Sequence, residues 1–96
     1  ERILGDYETE KLPYLKYMMF TGLYDRKGTP IYEGDLLQHP TGVIAEIKYS
    51  DYLAAFVAVY VQSGYIEMDF LDREIVNKCK VVGNIYENPE LLEESE

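Results

Sequence analysis

The chain has 96 residues, of which 47% are apolar and 28% are charged. This is enough apolar sequence for one folded domain and too much for a disordered chain. Eighteen acidic residues against nine basic ones give a formal net charge of −9. Direct binding to a nucleic-acid backbone or to an anionic membrane requires surplus cations, so this charge argues against both classes of partner.

The cysteine content and the apolar pattern bear on the cellular compartment. Cys79 is the only cysteine in the sequence, and a lone thiol is typical of a protein kept in a reducing compartment. The sequence contains no apolar run of about 18 residues and no recognisable signal-peptide pattern. We therefore expect an intracellular protein that does not bind a membrane.

Short apolar stretches separated by glycine-containing turns predict a mainly β protein. In several of them apolar and polar residues alternate, which is the pattern of an antiparallel strand with one buried face. Five to seven strands are predicted, within 16–23, 30–32, 36–39, 43–49, 53–62, 65–70 and 79–86. A helical turn within 71–77, capped by Asp72, and a short C-terminal helix over 89–94 complete the prediction. Strands this short and closely spaced favour a small antiparallel barrel or rolled sheet.

The stretch at 53–62 is apolar on both faces, unlike its neighbours. One face carries Leu53, Ala55 and three valines, and the other includes Phe56, Ala58 and Tyr60. In a small barrel one face fills the interior, so the other must be covered by the N-terminal segment, the C-terminal helix or another subunit. We predict that Phe56, Ala58 and Tyr60 belong to a strand through which the protein forms a homo-oligomer.

The next strand, at 65–70, alternates between apolar and acidic residues. Ile66, Met68 and Phe70 occupy every second position, and Glu67 and Asp69 lie between them. Because side chains along a strand point to opposite faces in turn, we expect the three apolar side chains to point inward and the two carboxylates outward.

Two separated segments carry a more specific signal. The first consists of Phe20-Thr21-Gly22-Leu23, Asp25, Gly28 and Ile31-Tyr32-Glu33-Gly34-Asp35, and the second of Val82-Gly83-Asn84-Ile85-Tyr86-Glu87-Asn88-Pro89-Glu90-Leu91-Leu92. In this order and at this separation they resemble the YopX family of phage and prophage proteins, over about residues 18–92. The resemblance implies a small SH3-like β-barrel, encoded in a mobile element and located in the cytoplasm of a bacterial host. It implies no known activity, substrate or cofactor, so it assigns no site residues.

The resemblance also sets the expected domain organisation. Many family members begin with a short strand whose sequence is absent from residues 1–17, so we expect a shortened member or the C-terminal domain alone. The predicted parts are a lead-in at 1–17, a YopX-like domain at 18–92 and an acidic tail at 93–96.

Both segments are best interpreted as folding signals, because their glycines are typical of tight turns and bulges. A functional alternative concerns the acids beside those glycines. Glu33, Asp35 and Glu87 would then form a shared acidic patch that the turns present to a partner.

No group of residues predicts a catalytic or metal site strongly. Glu46 and Lys48 on one strand, with Asp35 upstream, resemble the acid-x-Lys arrangement of Mg²⁺-dependent nucleases, but about one such pair is expected by chance in this composition. His39 and Cys79 lie too far apart in sequence for a zinc site, which requires four ligands. Glu67, Asp69 and Asp72 could together hold a cation, but strand alternation already explains the first two as residues of a solvated strand face. We predict no enzyme activity, no metal and no cofactor.

The leading functional prediction is a non-enzymatic protein-interaction or assembly module of phage or prophage origin, with an unknown protein partner and its own copies as binding partners. An alternative is an acidic DNA mimic or a protein that blocks a host defence, and a second is the Mg²⁺-dependent nuclease. Five glutamates lie within 87–96, so the rest of the chain carries only −4. This distribution weakens the mimicry hypothesis, which needs a broad negative face, and direct nucleic-acid binding is not expected.

Overall fold

A computed structural model describes the backbone of residues 2–3 and 17–94 and the side chains of residues 18–92. It confirms a mainly β protein with antiparallel strands and few helices. The strands are β1 Arg2–Ile3, β2 Tyr17–Met18, β3 Phe20–Tyr24, β4 Pro30–Tyr32, β5 Asp35–Gln38, β6 Ile44–Ser50, β7 Ala55–Gln62, β8 Tyr65–Phe70 and β9 Lys80–Asn84. The helices are α1 Arg73–Val76 and α2 Glu90–Glu94.

Five of the strands form one antiparallel sheet, in the order β8-β7-β6-β5-β9. Strands β5 to β8 follow one another as hairpins, whereas β9 returns to pair with β5 on its other side. Because β8 and β9 form the two ends, the sheet is open, and no closed barrel forms among residues 17–94. The rolled-sheet and SH3-like features remain predictions.

Two smaller antiparallel pairs complete the strands: β1 with β2, and β3 with β4. The single strand predicted at 16–23 is thus divided at Met19 into β2 and β3. The turn between β3 and β4 lies beside β9, where the Arg26 N–H donates to the Cys79 carbonyl at 2.9 Å. This bond holds the β3–β4 hairpin against the edge of the main sheet that β9 forms.

Helix α1 forms where the sequence predicts a capped turn. Asp72 has an extended backbone and its Oδ1 accepts the Ile75 N–H at 2.8 Å, which satisfies one of the unpaired donors of the first turn. Val76 is fully buried, so the helix is fixed to the sheet through this side chain. Helix α2 packs against β6.

The core lies mainly between α1 and one face of the sheet. Its buried side chains come from the hairpin, the sheet and the helix, and they are Ile31, Leu37, Ile47, Ala58, Val76 and Cys79. Strand β7 begins only at Ala55, because Ala54 has a positive φ of 53° and belongs to the preceding turn. Leu53 therefore lies outside the strand to which it was assigned.

Candidate interaction surfaces

The two segments that carry the family resemblance meet where β5 and β9 pair. The Gly34 carbonyl accepts the Ile85 N–H at 2.9 Å, and Asp35 is the strand partner of Asn84. Gly34 has a φ of +91°, and a Cβ there would lie 3.2 Å from the Tyr86 ring. Conformation and space therefore both favour glycine at this position. The two segments are parts of one structural junction.

The predicted acidic patch is divided between the interior and the surface. Asp35 is fully buried, and its Oδ2 accepts the Tyr32 N–H at 2.8 Å. Glu87 is exposed, and its Oε1 accepts an N–H from the Asn84 amide at 2.6 Å. Because Asp35 has no exposed surface, its carboxylate cannot be presented to a partner, and the proposed set of three is reduced to Glu33 and Glu87.

Glu33 shares a cavity with another acid, Glu46, which the sequence did not predict to lie near it. Glu33, Glu46 and Tyr86 line a surface cavity of about 220 Å³ beside the middle of β6. Burial raises the pKa of the Tyr86 phenol, and the charges of Glu33 and Glu46 raise it further. The phenol is therefore kept neutral beside the two carboxylates.

The three residues of the predicted oligomer strand are all engaged within the chain. Ala58 is 9% exposed and belongs to the core. The Phe56 ring packs edge-on against Tyr49, with 5.1 Å between ring centroids. The Tyr60 hydroxyl donates to Asp69 Oδ2 at 2.6 Å. The sequence left the cover of this face to the N-terminal segment, the C-terminal helix or another subunit, and these contacts within the chain supply part of it. Oligomerisation itself stays a prediction.

On the same face of the sheet, a groove of about 300 Å³ runs between β7 and α1. Leu37, Ala58 and Cys79 are buried and lie deepest in it, whereas Ile75 on α1 is more exposed. His39 lies in the groove at the end of β5, where its Nδ1 accepts the Thr41 N–H at 3.2 Å. The mostly apolar lining suits an apolar side chain rather than an ion.

The Tyr60 phenol and the Cys79 thiol, which both line this groove, are held in their neutral forms. The hydrogen bond to Asp69, aided by burial and by the charges of Asp69 and Glu67, raises the pKa of Tyr60 to about 12. Burial, followed by the charge of Asp25, raises the pKa of the Cys79 thiol. That thiol donates to the Ile75 carbonyl at 3.4 Å. Neither group has the lowered pKa that is typical of an activated nucleophile.

The residues of the nuclease hypothesis do not form a metal centre. Asp35 is buried, while Glu46 Oε2 lies 3.9 Å from Lys48 Nζ in an ion pair at the surface. Asp69 accepts the Tyr60 hydroxyl, and Asp72 caps α1. Across the described part of the chain, no three or more His, Cys, Asp or Glu side chains are grouped so that they could hold a metal ion.

Strand β8 differs most from its prediction. All six of its residues are exposed, including Ile66 at 78%, Met68 at 53% and Phe70 at 59%. The alternation is present, but β8 is an end strand, so neither of its faces is deeply covered. The prediction that these three side chains point into a core is therefore wrong.

Directly paired residues of two strands share a face of the sheet. Ile66 pairs with Val61 and Met68 with Val59, so these four residues and Phe70 form one continuous apolar surface. We call these five residues the β7–β8 apolar face. Glu67 and Asp69 lie on the opposite face, with Tyr60 and Ala58.

A comparison with known protein families finds a match over nearly the whole chain. The family model described as YopX protein matches residues 2–93. The chain belongs to the YopX family. The match begins well before residue 18, so it includes most of the segment that the sequence prediction treated as a lead-in. A search of curated proteins finds no match to the chain.

Membership in the YopX family therefore rests on nearly the whole chain, whereas the two quoted segments cover only parts of it. Within the structure these segments supply the β3–β4 hairpin and the β5–β9 junction. Among the residues described for this YopX protein, no helix is both long enough and apolar enough to span a membrane. The predicted tail at 93–96 lies outside the residues whose side chains are described.

Sequence reasoning missed a basic cleft in this YopX protein. The cleft measures about 250 Å³ and lies between the β3–β4 turn, the turn after β5 and the start of β9. Its lining includes Arg26, Lys78, Lys80 and His39 and contains no acidic residue. Arg26 lies far from Lys78 and Lys80 in sequence, so the sequence alone could not show that the three cations meet. The one signal of a basic site that it carries is that Lys78 and Lys80 lie two positions apart.

Proposed function

We propose that this YopX protein is a non-enzymatic protein-interaction and assembly module that binds a second copy of itself through the β7–β8 apolar face. Phage or prophage origin, a bacterial cytoplasmic location and an SH3-like fold are parts of the same proposal. Direct binding to nucleic acid is not part of this proposal.

The exposure of Ile66, Met68 and Phe70 carries this proposal. Burying one such side chain contributes about 1.5–3 kcal/mol, so leaving three of them in water on one strand is unfavourable for an isolated molecule. A contiguous apolar surface with charged residues kept off it is typical of a protein–protein interface. Val59 and Val61 extend this surface across two strands.

The positions of the acids indicate how two copies would pack. If two β8 strands paired antiparallel about their centres, Glu67 would face Glu67 or Asp69 of the other copy, and like charges directly opposite are destabilising. Packing of the two apolar faces against each other places all four acids on the outside. Face-to-face packing is therefore the arrangement that the charges favour.

The enzymatic and DNA-mimic alternatives have less support. The phenol and thiol of the groove are held neutral, which does not suit nucleophilic chemistry. A mimic of nucleic acid needs its carboxylates at the surface, yet Asp25 and Asp35 are buried. Both acids are hydrogen-bonded to backbone N–H groups of the chain.

The test is the molar mass in solution, measured by size-exclusion chromatography with light scattering over a range of concentrations. We expect the wild-type protein to be a dimer at micromolar concentration and Ile66→Lys with Met68→Lys to be monomeric. Glu67→Lys, on the opposite face of the same strand, is the matched control and should leave the dimer intact.

A wild-type protein that stays monomeric throughout would contradict the assembly proposal. Dissociation by Glu67→Lys to the same extent as by Ile66→Lys with Met68→Lys would contradict the assignment to the β7–β8 apolar face. All three substitutions lie at exposed positions, so each variant is expected to fold, and circular dichroism checks this.

A further inference from the structure

The basic cleft concentrates positive charge in a strongly acidic protein. Three of the six Lys and Arg residues within 18–92 line it, namely Arg26, Lys78 and Lys80. The chain as a whole carries −9. A concave site lined by one sign of charge focuses the electrostatic field and raises the local concentration of the opposite ion.

These cations are not used in ion pairs with described carboxylates. Among the described side chains, the one ion pair within 4.0 Å joins Lys48 to Glu46, on another part of the surface. The acid next to Arg26 in sequence is Asp25, which is buried. Its carboxylate accepts N–H groups from Lys27, Thr29 and Val81, so it is directed into the backbone and not into the cleft.

Hydrogen bonds fix the backbone around the cleft. The Arg26 N–H is bonded to the Cys79 carbonyl at 2.9 Å, and the Lys78 N–H to the Ile75 carbonyl at 3.1 Å. The turn after β5 is closed by the Gly42 N–H, which donates to the His39 carbonyl at 2.8 Å. The backbone from which the charged side chains extend is therefore hydrogen-bonded before an anion binds, so binding does not have to order it.

The imidazole of His39 adds a donor to the same cleft. Its Nδ1 accepts the Thr41 N–H, so the proton of the neutral ring lies on Nε2. Three cationic side chains and one imidazole N–H around one small cavity match the several acceptor oxygens of a phosphate group.

We propose that this cleft binds a compact oxyanion of the phosphate type, carried by a small molecule. The ligand is compact because the cationic lining is confined to one cavity and the rest of the protein is negative. An extended polyanion such as a nucleic acid would place most of its phosphates against repelling surface. The site is separate from the β7–β8 apolar face and independent of the assembly proposal.

The test is a titration of the isotope-labelled protein with sodium pyrophosphate and with inorganic phosphate at low ionic strength, followed by amide NMR spectra. We expect saturable shifts confined to residues 25–28, 39–42 and 78–80, with pyrophosphate binding more tightly. Each of Lys78→Gln and Lys80→Gln should weaken binding roughly two- to fivefold.

Lys27→Gln is the matched control, because Lys27 is an exposed cation of the same turn that does not line the cleft. Its affinity for pyrophosphate should stay within a factor of about two of wild type. Shifts that are absent or spread over the surface, or equal losses in Lys27→Gln and Lys78→Gln, would overturn the proposal. A short oligothymidylate that binds more than tenfold tighter than pyrophosphate would overturn it in favour of nucleic acid.

Discussion

The carboxylate of Asp25 accepts the backbone N–H of Val81, a residue 56 positions later in the chain, at 2.8 Å. Its other oxygen accepts the N–H groups of Lys27 and Thr29, both at 2.8 Å. One side chain therefore closes the β3–β4 turn and fixes that turn to β9. Asp25 is 5% exposed, so the bonds are sheltered from water.

Replacement of this carboxylate is expected to destabilise the fold. Asp25→Asn puts an amide NH₂ where one oxygen now accepts a backbone N–H, which should lower the free energy of unfolding by about 1–3 kcal/mol. The measurement is urea unfolding followed by circular dichroism. Asp51→Asn, at an exposed turn position, is the control and should change stability by less than about 0.5 kcal/mol. Equal effects of the two substitutions would contradict the role assigned to Asp25.

The same carboxylate gives the protein an acid-sensitive contribution to stability. Burial alone would raise the pKa of Asp25, but bonds from the N–H groups of Val81, Thr29, Lys27 and Gly28 outweigh it and lower the pKa below 3.8. The folded-state value is below the unfolded one, so the contribution is full above the unfolded pKa and is lost as pH falls through the folded value. Unfolding measured from pH 6 downward should show a smaller loss below about pH 4 for Asp25→Asn than for wild type.

Gly83 is required for space. A Cβ at this position would overlap the side chain of Asn88, whose Oδ1 accepts the Asn84 N–H at 3.2 Å. Gly83→Ala should therefore destabilise the protein by about 1–3 kcal/mol. The double variant with Asn88→Ala removes the two closest contacts, which are with the Asn88 amide, and leaves only that with the Cβ of residue 88 at 2.9 Å, so the loss should be smaller than the sum of the two single losses. Urea unfolding of the four proteins forms a double-mutant cycle, and additive losses would show that the two positions are not coupled.

The sequence was sufficient to predict the elements whose formation is local. Asp72 was identified as a cap because its side chain acts only three residues ahead, and α1 begins where expected. The turns and most strands follow from glycine positions and from alternation. The short C-terminal helix was predicted over 89–94 and spans Glu90–Glu94.

What could not be predicted depends on strand order and on contacts distant in sequence. Alternation is equally clear in β6 and β8, but β6 lies inside the sheet and β8 at its end, so Ile47 is fully buried while Ile66 is 78% exposed. Asp35 was expected in an acidic patch at the surface. It is buried, and so is Asp25, because backbone N–H groups satisfy both carboxylates, in one case from a strand near the other end of the chain.

The bond between Tyr60 and Asp69 should be visible as a raised phenol pKa. The Asp69 hydrogen bond holds the pKa of Tyr60 at about 12, so Asp69→Asn should move it back toward 10. Glu67→Gln, whose charge has a smaller influence, should lower the pKa of Tyr60 much less. Because the folded-state pKa is raised, this pair stabilises the fold fully below pH 10 and stops doing so as pH rises through 12. The titration is followed by NMR of the Tyr60 ring, and equal shifts in the two variants would contradict the assignment.

The thiol of Cys79 is expected to react slowly while the protein is folded. It is 5% exposed and donates to the Ile75 carbonyl, and its raised pKa reduces the thiolate fraction at any given pH. Iodoacetamide labelling followed by mass spectrometry should therefore be much slower in buffer than in urea.

Helix α1 is expected to control that labelling rate, because Val76 belongs to the same core cluster as Cys79 and the Ile75 carbonyl accepts the thiol. Val76→Ala should cost about 1–3 kcal/mol and speed up labelling in buffer, since opening of α1 exposes the thiol. Val61→Ala, on the opposite face of the sheet, is the control and should leave the labelling rate close to that of wild type. A wild-type rate in buffer equal to that in urea would contradict the buried, hydrogen-bonded state of the thiol. A Val76→Ala rate equal to wild type would show that Cys79 is reached without opening of α1.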